Sequence, residues 1–278
     1  MRSSIVILLL ISIACSKKPE DRFIDIRGRR QHLIDMGEGI PVVVFVNGFG
    51  DRARTWMHVQ PKVAKLTRTI SYDRPGLGES EALSANRSLD TLVFELNQIL
   101  QHENAEAPYV LVGHSMGGHI VRYFSHLHPD KVAGIVLVDA TVEYMEDEFK
   151  RLKGPDDARK YDSLKVYGRD PNWPEGIRSE ADYFEENNNK IKSIGFARHI
   201  PTTVITGMNM PESSFSFMKG VNDIKVTLHQ RWVSEYPHIR HVFANASGHF
   251  VQHDEPQLVV DEILAIVERH RQVLRNKR

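Results

Sequence analysis

Residues 109 to 129 read YVLVGHSMGGHIVRYFSHLHP. The opening Tyr109-Val110-Leu111-Val112 is a short apolar run of the kind that forms a fully buried strand, and the segment from His119 onward has helical character. Between them stands Gly113-His114-Ser115-Met116-Gly117, a Gly-x-Ser-x-Gly pattern. Strand, pattern and helix in that order are the context of a nucleophile elbow, a sharp turn that holds a serine in a strained conformation. A Cβ at position 113 or 117 would crowd so tight a turn, which accounts for both glycines. The strain lifts the Ser115 hydroxyl clear of the strand and aims the Met116 amide where an oxyanion would form. A structural turn without chemistry is the plainer alternative.

Outward from this stretch, short apolar runs recur along the chain. FIDI and QHLIDM, separated by RGRR, suggest an opening hairpin; VVVFV (42–46), TISY (69–72), GIVLV (134–138), TTVIT (202–206) and HVFA (241–244) suggest further strands. Between several of them the period changes to that of a helix. Leu89, Leu92, Val93, Leu96, Ile99 and Leu100 mark one helical face behind a Ser88 N-cap, and Pro256 opens a second helix with Leu258, Val259, Ile263, Leu264 and Val267 turned inward. Continuous apolar strands alternating with amphipathic helices imply an α/β architecture: a mostly parallel sheet of eight-stranded type with helices on both faces. Residues 142–199 break the rhythm, being charged, strewn with aromatic residues and free of strand-like runs. A loop of that length requires structure of its own, so a helical cap, or lid, over one sheet edge is expected there. The core then comprises 23–141 and 200–278.

With these segments in hand, the chain from about 23 to 275 resembles the α/β-hydrolase family. VFVNGFGDRARTW resembles that family's oxyanion loop, SYDRPGLGES its turn after the fourth strand, and SGHFVQHDEPQLV the segment carrying its catalytic histidine. The resemblance implies a serine hydrolase in which Ser115 is the nucleophile and His249 the base. The amides of Phe49 and Met116 would form the oxyanion hole. Asn47 departs from the pattern, since the family usually has histidine before the glycine; a backbone amide does the work there, so loop geometry is what the change bears upon. Asp73 and Arg74 fall in what is a structural turn in the family. His114 recurs in the family pattern without acting as a base, and His253 belongs to a helix start. Relatives that attack saturated carbon, the dehalogenases and epoxide hydrolases, use an aspartate nucleophile, against which Ser115 argues.

The orienting acid is irregular. A triad needs a carboxylate to hold the imidazole in its working tautomer. In most of the family it follows the seventh strand in a Gly-x-x-Asp loop, but this chain has Gly207-Met208-Asn209-Met210. Certain members take the acid from the end of the preceding strand. GIVLVDAT places Asp139 there, which makes it the first candidate, with Glu212 through a longer loop, Asp223, or no acid at all as alternatives.

Composition bounds the remaining classes. Thirty-six Lys and Arg against thirty-six Asp and Glu leave no net charge, which argues against nucleic acid as a partner. There is no Walker loop, dinucleotide fingerprint or His-Glu-x-x-His, and His126 and His128 alone do not make a metal site. Neither a cofactor nor a metal is expected; the expected ligand is a small acyl substrate. At the N-terminus, Arg2 precedes an apolar run from Ile5 to Ala14, too short to span a bilayer, which takes roughly 20 residues. ISIAC resembles a bacterial lipobox, with Ser12 where leucine is usual. That resemblance implies a signal over 1–15, lipidation at Cys15, a tether over 16–22, and an exported, membrane-anchored lipoprotein. An ordinary signal peptide and an uncleaved anchor are the alternatives. Cys15 is the sole cysteine, so no internal disulfide can form. Beside hydrolysis stand a non-catalytic binding or sensor protein on the same scaffold, acyl transfer to another acceptor, and carbon–carbon bond cleavage.

Overall fold

The computed structural model describes residues 20–82, 86–167, 169–209 and 220–276. Cys15 and Glu212 lie outside the described residues. Eight strands form one sheet: β1 (Glu20–Asp25), β2 (Arg30–Met36), β3 (Val42–Val46), β4 (Thr69–Tyr72), β5 (Tyr109–His114), β6 (Val132–Val138), β7 (Thr202–Gly207) and β8 (Ile239–Ala244). Their order across the sheet is β1-β2-β4-β3-β5-β6-β7-β8. The sheet is mixed, which corrects the expectation of a mostly parallel one. β1 pairs antiparallel with β2, and β2 antiparallel with β4, while the neighbours from β4 through β8 run parallel. The physical reason lies in the RGRR turn, a connection too short for a crossover, which obliges β2 to return against β1.

The helices are α1 (Gln60–Val63), α2 (Leu89–His102), α3 (Gly117–Leu127), α4 (Met145–Tyr167), α5 (Glu175–Lys192), α6 (Val221–Glu235), α7 (Val251–Asp254) and α8 (Pro256–Asn276). Side chains alternate across each central strand, so the sheet feeds two apolar layers. Val42, Val44, Val46, Leu111, Leu137 and Val204 face α2, α3 and α6. Val43, Phe45, Val110, Val112, Val136 and Ile205 face the other way, onto Val59 and Val63 at α1 and Val259, Ile263 and Val267 of α8. All five residues of β3 are buried, and each such aliphatic side chain contributes on the order of 1.5–3 kcal/mol. Ser88 caps α2 by accepting from the Thr91 amide at 3.4 Å. The long stretch between β6 and β7 holds α4, broken at Gly154 (φ 79°), and α5. Among the described residues no helix is long and apolar enough to cross a membrane.

The strand order reverses at β3. The chain moves from β3 to β4 on one side and then crosses to β5 on the other, and the loops leaving β3 and β5 are left side by side at the C-terminal edge. Such a reversal opens a crevice where open α/β sheets bind ligands.

Beside this edge, buried His32 on β2 ties strand β1 to the turn after β4. Its Nδ1 lies 2.8 Å from Asp73 Oδ2 and its Nε2 lies 2.6 Å from Asp21 Oδ1. Carboxylates only accept, so both ring nitrogens act as donors and the ring is an imidazolium. Burial works against that charge, but the hydrogen bond to Asp21 and the attraction of Asp73 outweigh it and raise the histidine above its ordinary value. The stabilisation is therefore fully present below about pH 6.5 and is lost as pH rises through the raised value. Urea unfolding of the wild type and His32→Gln should show a stability gap that narrows as pH is raised from 6 to 9. A gap independent of pH would contradict the imidazolium assignment.

Candidate active site

Ser115 closes β5 with φ of 51°, and Asp139 follows β6 with φ of 41°. Among the described residues only two other non-glycine positions, Arg27 and Asn104, have positive φ. Backbone strain of this kind concentrates where side chains must be aimed against local preference. The elbow is held from three directions: the Ser115 amide donates to Val138 O at 3.2 Å, and Ser115 O accepts from Gly118 at 2.9 Å and from Thr141 at 3.0 Å. A Cβ on Gly117 would collide with the Val46 carbonyl oxygen, and one on Gly113 would fall 2.6 Å from Gly117 O. Both glycines answer to close backbone approach.

Asp139 is brought to the same edge because β6 lies beside β5. Its side chain has no solvent exposure, yet it is surrounded by donors. His249 Nδ1 lies 2.6 Å from Oδ2, the Gly207 amide donates to Oδ1 at 2.8 Å, and Lys225 Nζ stands 2.7 Å from the carboxylate. Burial alone would raise this acid; the hydrogen bond to His249, then the charge of Lys225, overcome it and hold it at about 2. With Nδ1–H donated to a carboxylate, Nε2 of His249 is left as the free acceptor, the tautomer a general base requires. The His249 loop is fastened by Glu255, which accepts from Ser247 Oγ at 2.6 Å and from the Ala246 amide at 3.0 Å.

His114, next to the serine, is structural. Its Nε2–H donates to His249 O at 2.9 Å, and burial followed by repulsion from His249 pushes it down to about 3, so it stays neutral. The Ser115 hydroxyl lies 3.4 Å from Thr141 Oγ1, and among the described residues it has no hydrogen bond to His249. His253 contacts Thr55 and stacks on Phe250, away from the acid. Asp223 sits in the first turn of α6, and its backbone oxygen accepts from Thr227.

The loop after β3 completes the edge. Gly48 runs so close to the elbow that a Cβ there would be 3.1 Å from Ser115 Cβ. Asn47 is fully buried and spans the loop through Nδ2, which donates to Asp51 O at 2.5 Å. The asparagine that departs from the family pattern is thus a brace for loop geometry. Neither the Phe49 nor the Met116 amide has an acceptor among the described residues. Where an acid loop would follow β7, the backbone instead pairs with the histidine loop: Met208 N donates to Ala244 O at 3.0 Å and Asn209 N to Ser247 O at 2.8 Å.

Lys225, Thr141 and the buried pair Arg74–Glu180 are site-edge residues that sequence reading missed. Arg74 had a motif around it but only as a turn; Lys225 and Glu180 lie on amphipathic helices with no local mark. Among the described residues no group of three or more His, Cys, Asp or Glu is arranged to hold a metal ion.

Residues 41–165 match the family model described as alpha/beta hydrolase fold. Among curated proteins the chain is similar to the uncharacterized protein YbdG of Bacillus subtilis, 25% identical over 189 residues; these make up 67% of this chain and 50% of that protein. The chain thus spans about half the length of that relative. Among solved structures it is similar to a thermophilic esterase from Thermogutta terrifontis, with TM-score 0.64, 17% identity, and coverage of 91% of this chain and 99% of that one. An epoxide hydrolase from Vigna radiata gives TM-score 0.62 at 16% identity, covering 90% and 98%. At such identities the likeness speaks to fold. The family model over residues 41–165 and the structural neighbours together support an alpha/beta hydrolase fold for this chain.

Proposed function

We propose that the protein is a serine hydrolase that cleaves an ester or related acyl substrate through a Ser115-His249-Asp139 triad and an acyl-enzyme. The observation that carries this reading is the 2.6 Å contact between Asp139 and His249 Nδ1, made at the same sheet edge as a serine on a strained elbow. A serine hydroxyl is a weak nucleophile until a base removes its proton. In the proposed reaction the Ser115 hydroxyl turns from Thr141 to His249, Nε2 takes its proton, and Oγ bonds to the carbonyl carbon. The carbonyl oxygen gains the negative charge and is received by the Phe49 and Met116 amides. Collapse of this intermediate expels the alcohol, which takes the proton from His249. Water, giving a proton to the same nitrogen, then attacks the acyl carbon; the bond to Ser115 Oγ breaks, the acid leaves, and His249 returns the proton to Oγ. Asp139 stays ionised throughout; its part is to hold the imidazole's tautomer and offset the charge that His249 acquires.

Lys225 distinguishes this acid from a plain His-Asp pair. The ammonium shares the carboxylate with His249, which keeps the buried charge neutralised while the imidazole is neutral. Helices α4 and α5 are proposed to roof the pocket as a cap. Export and anchoring through Cys15 are proposed from the sequence alone.

Three outcomes follow. A fluorophosphonate probe should label the wild type and not Ser115→Ala; a folded wild type that resists labelling would remove this reading and favour a binding protein on the same scaffold. Asp139→Asn should retain the fold and lower kcat by about 10⁴, the scale known for orienting carboxylates, whereas near-full activity would show that the acid lies elsewhere. Lys225→Met should move the Asp139 carboxyl titration, followed by carbon-13 NMR, upward from about 2. An unchanged titration would contradict the ion pair.

A further inference from the structure

Arg74 follows β4, and Glu180 lies in the second turn of α5, 106 residues away. Each side chain is 1% exposed. The guanidinium faces the carboxylate in a two-point clasp, Nε to Oε1 at 2.5 Å and Nη2 to Oε2 at 3.1 Å. The same pair takes hold of the loop after β3. Arg74 Nη1 donates to Asn47 O at 2.7 Å, Nη2 donates to Gly48 O at 2.6 Å, and Glu180 Oε2 accepts from the Gly50 amide at 2.9 Å. Backbone atoms of residues 47, 48 and 50 are thus pinned, while Phe49 N has no acceptor among the described residues.

Peptide planarity turns this grip into a direction. The Gly48 carbonyl and the Phe49 N–H belong to one rigid trans plane and point opposite ways. A guanidinium that fixes Gly48 O therefore fixes where Phe49 N–H aims. Gly48 is also the residue that passes against Ser115, so the fixed plane lies beside the elbow. Glu180 arrives on α5, which is seated firmly. A Cβ on Gly76 would be 2.9 Å from Gly176 Cα, and Asn187 caps α2 by accepting from the Leu89 amide at 2.7 Å while donating to Arg87 O at 2.9 Å. The latter contacts hold α5 without help from the clasp.

We infer that Arg74 and Glu180 are positioning residues for the oxyanion donor: the clasp aims the Phe49 amide, so the segment between β6 and β7 supplies half of what organises the oxyanion hole. This rests on the serine-hydrolase reading above. An oxyanion donor contributes only when it is aimed before charge develops, and losing one costs on the order of 10²–10³ in kcat. Because removing one member of a buried pair strands the other's charge, the informative variant is the double Arg74→Met/Glu180→Leu, which strands neither.

The test compares p-nitrophenyl acetate with its thionoacetate counterpart, whose C=S sulfur is a poor hydrogen-bond acceptor. The double variant should lose on the order of 10²–10³ in kcat on the oxygen ester with KM little changed, and lose far less on the thionoester, so that the preference for oxygen collapses. Arg74→Lys, which keeps the charge but not the fork, should fall between, and it serves as the readout if the double variant does not fold. Equal losses on both esters, or an unchanged oxygen-to-sulfur ratio, would overturn the inference and leave the pair a packing element. A wild type that turns over neither ester would count against the serine-hydrolase reading itself, and would take this inference down with it.

Discussion

A carboxylate with no access to water remains charged at Asp139, and the rest of the site depends on it. Charge buried without partners would cost several kcal/mol or neutralise itself by taking up a proton. Here His249, Lys225 and the Gly207 amide satisfy the oxygens from three parts of the chain. Each donor is thereby placed: the histidine loop is drawn over β6, α6 is oriented by its lysine, and the start of the β7 loop is fixed by its amide. The Gly207 amide also lets that loop meet the charge although its side chains are two methionines and an amide. Its backbone, not its side chains, meets the charge.

The sheet supplies the setting in which such a charge is useful. Reversal of strand order at β3 brings the loop carrying Phe49 against the elbow carrying Ser115, with Gly48 as the point of nearest approach. A Cβ at Gly48 would press on the Cβ of Ser115 at 3.1 Å. From the opposite side α5 reaches in with Glu180, and its partner Arg74 is held in register by the Asp73 turn, whose carboxylate accepts from Ala53 and Glu79 at 2.6 and 2.8 Å. Positioning of Ser115, Asp139 and the loop carrying Phe49 is thus distributed over β3, β4, β5, β6 and α5, all anchored in two apolar layers.

Local pattern made much of this legible. The VVVFV run, the period of α2 with its Ser88 cap, and the strand–Gly-x-Ser-x-Gly–helix sequence are short-range signals, and the structure has β3, α2 and the β5–α3 elbow at those places. Asp139 directly follows β6, and His249 stands in the loop between β8 and α7, so both can be placed near strand ends from the sequence. The antiparallel edge is less visible: FIDI and QHLIDM suggest a hairpin, but apolar runs alone do not give the direction in which β2 meets β4. Glu180 and Lys225 could not be read at all. Both are ordinary charged residues on helices, and their partners lie 106 and 86 positions away, a relation only the folded chain establishes. Arg74 was visible but undervalued, since a turn residue shows its hydrogen bonds only once the neighbouring loop is in place.

The central claim is that Ser115 becomes covalently acylated with His249 as its base. Its most direct measurement is mass analysis of protein quenched in acid during turnover of p-nitrophenyl acetate. The account predicts an acetyl group on the peptide that carries Ser115, absent when His249 is replaced by alanine. Continued ester turnover with that peptide unmodified, or acetyl found on another residue, would contradict it.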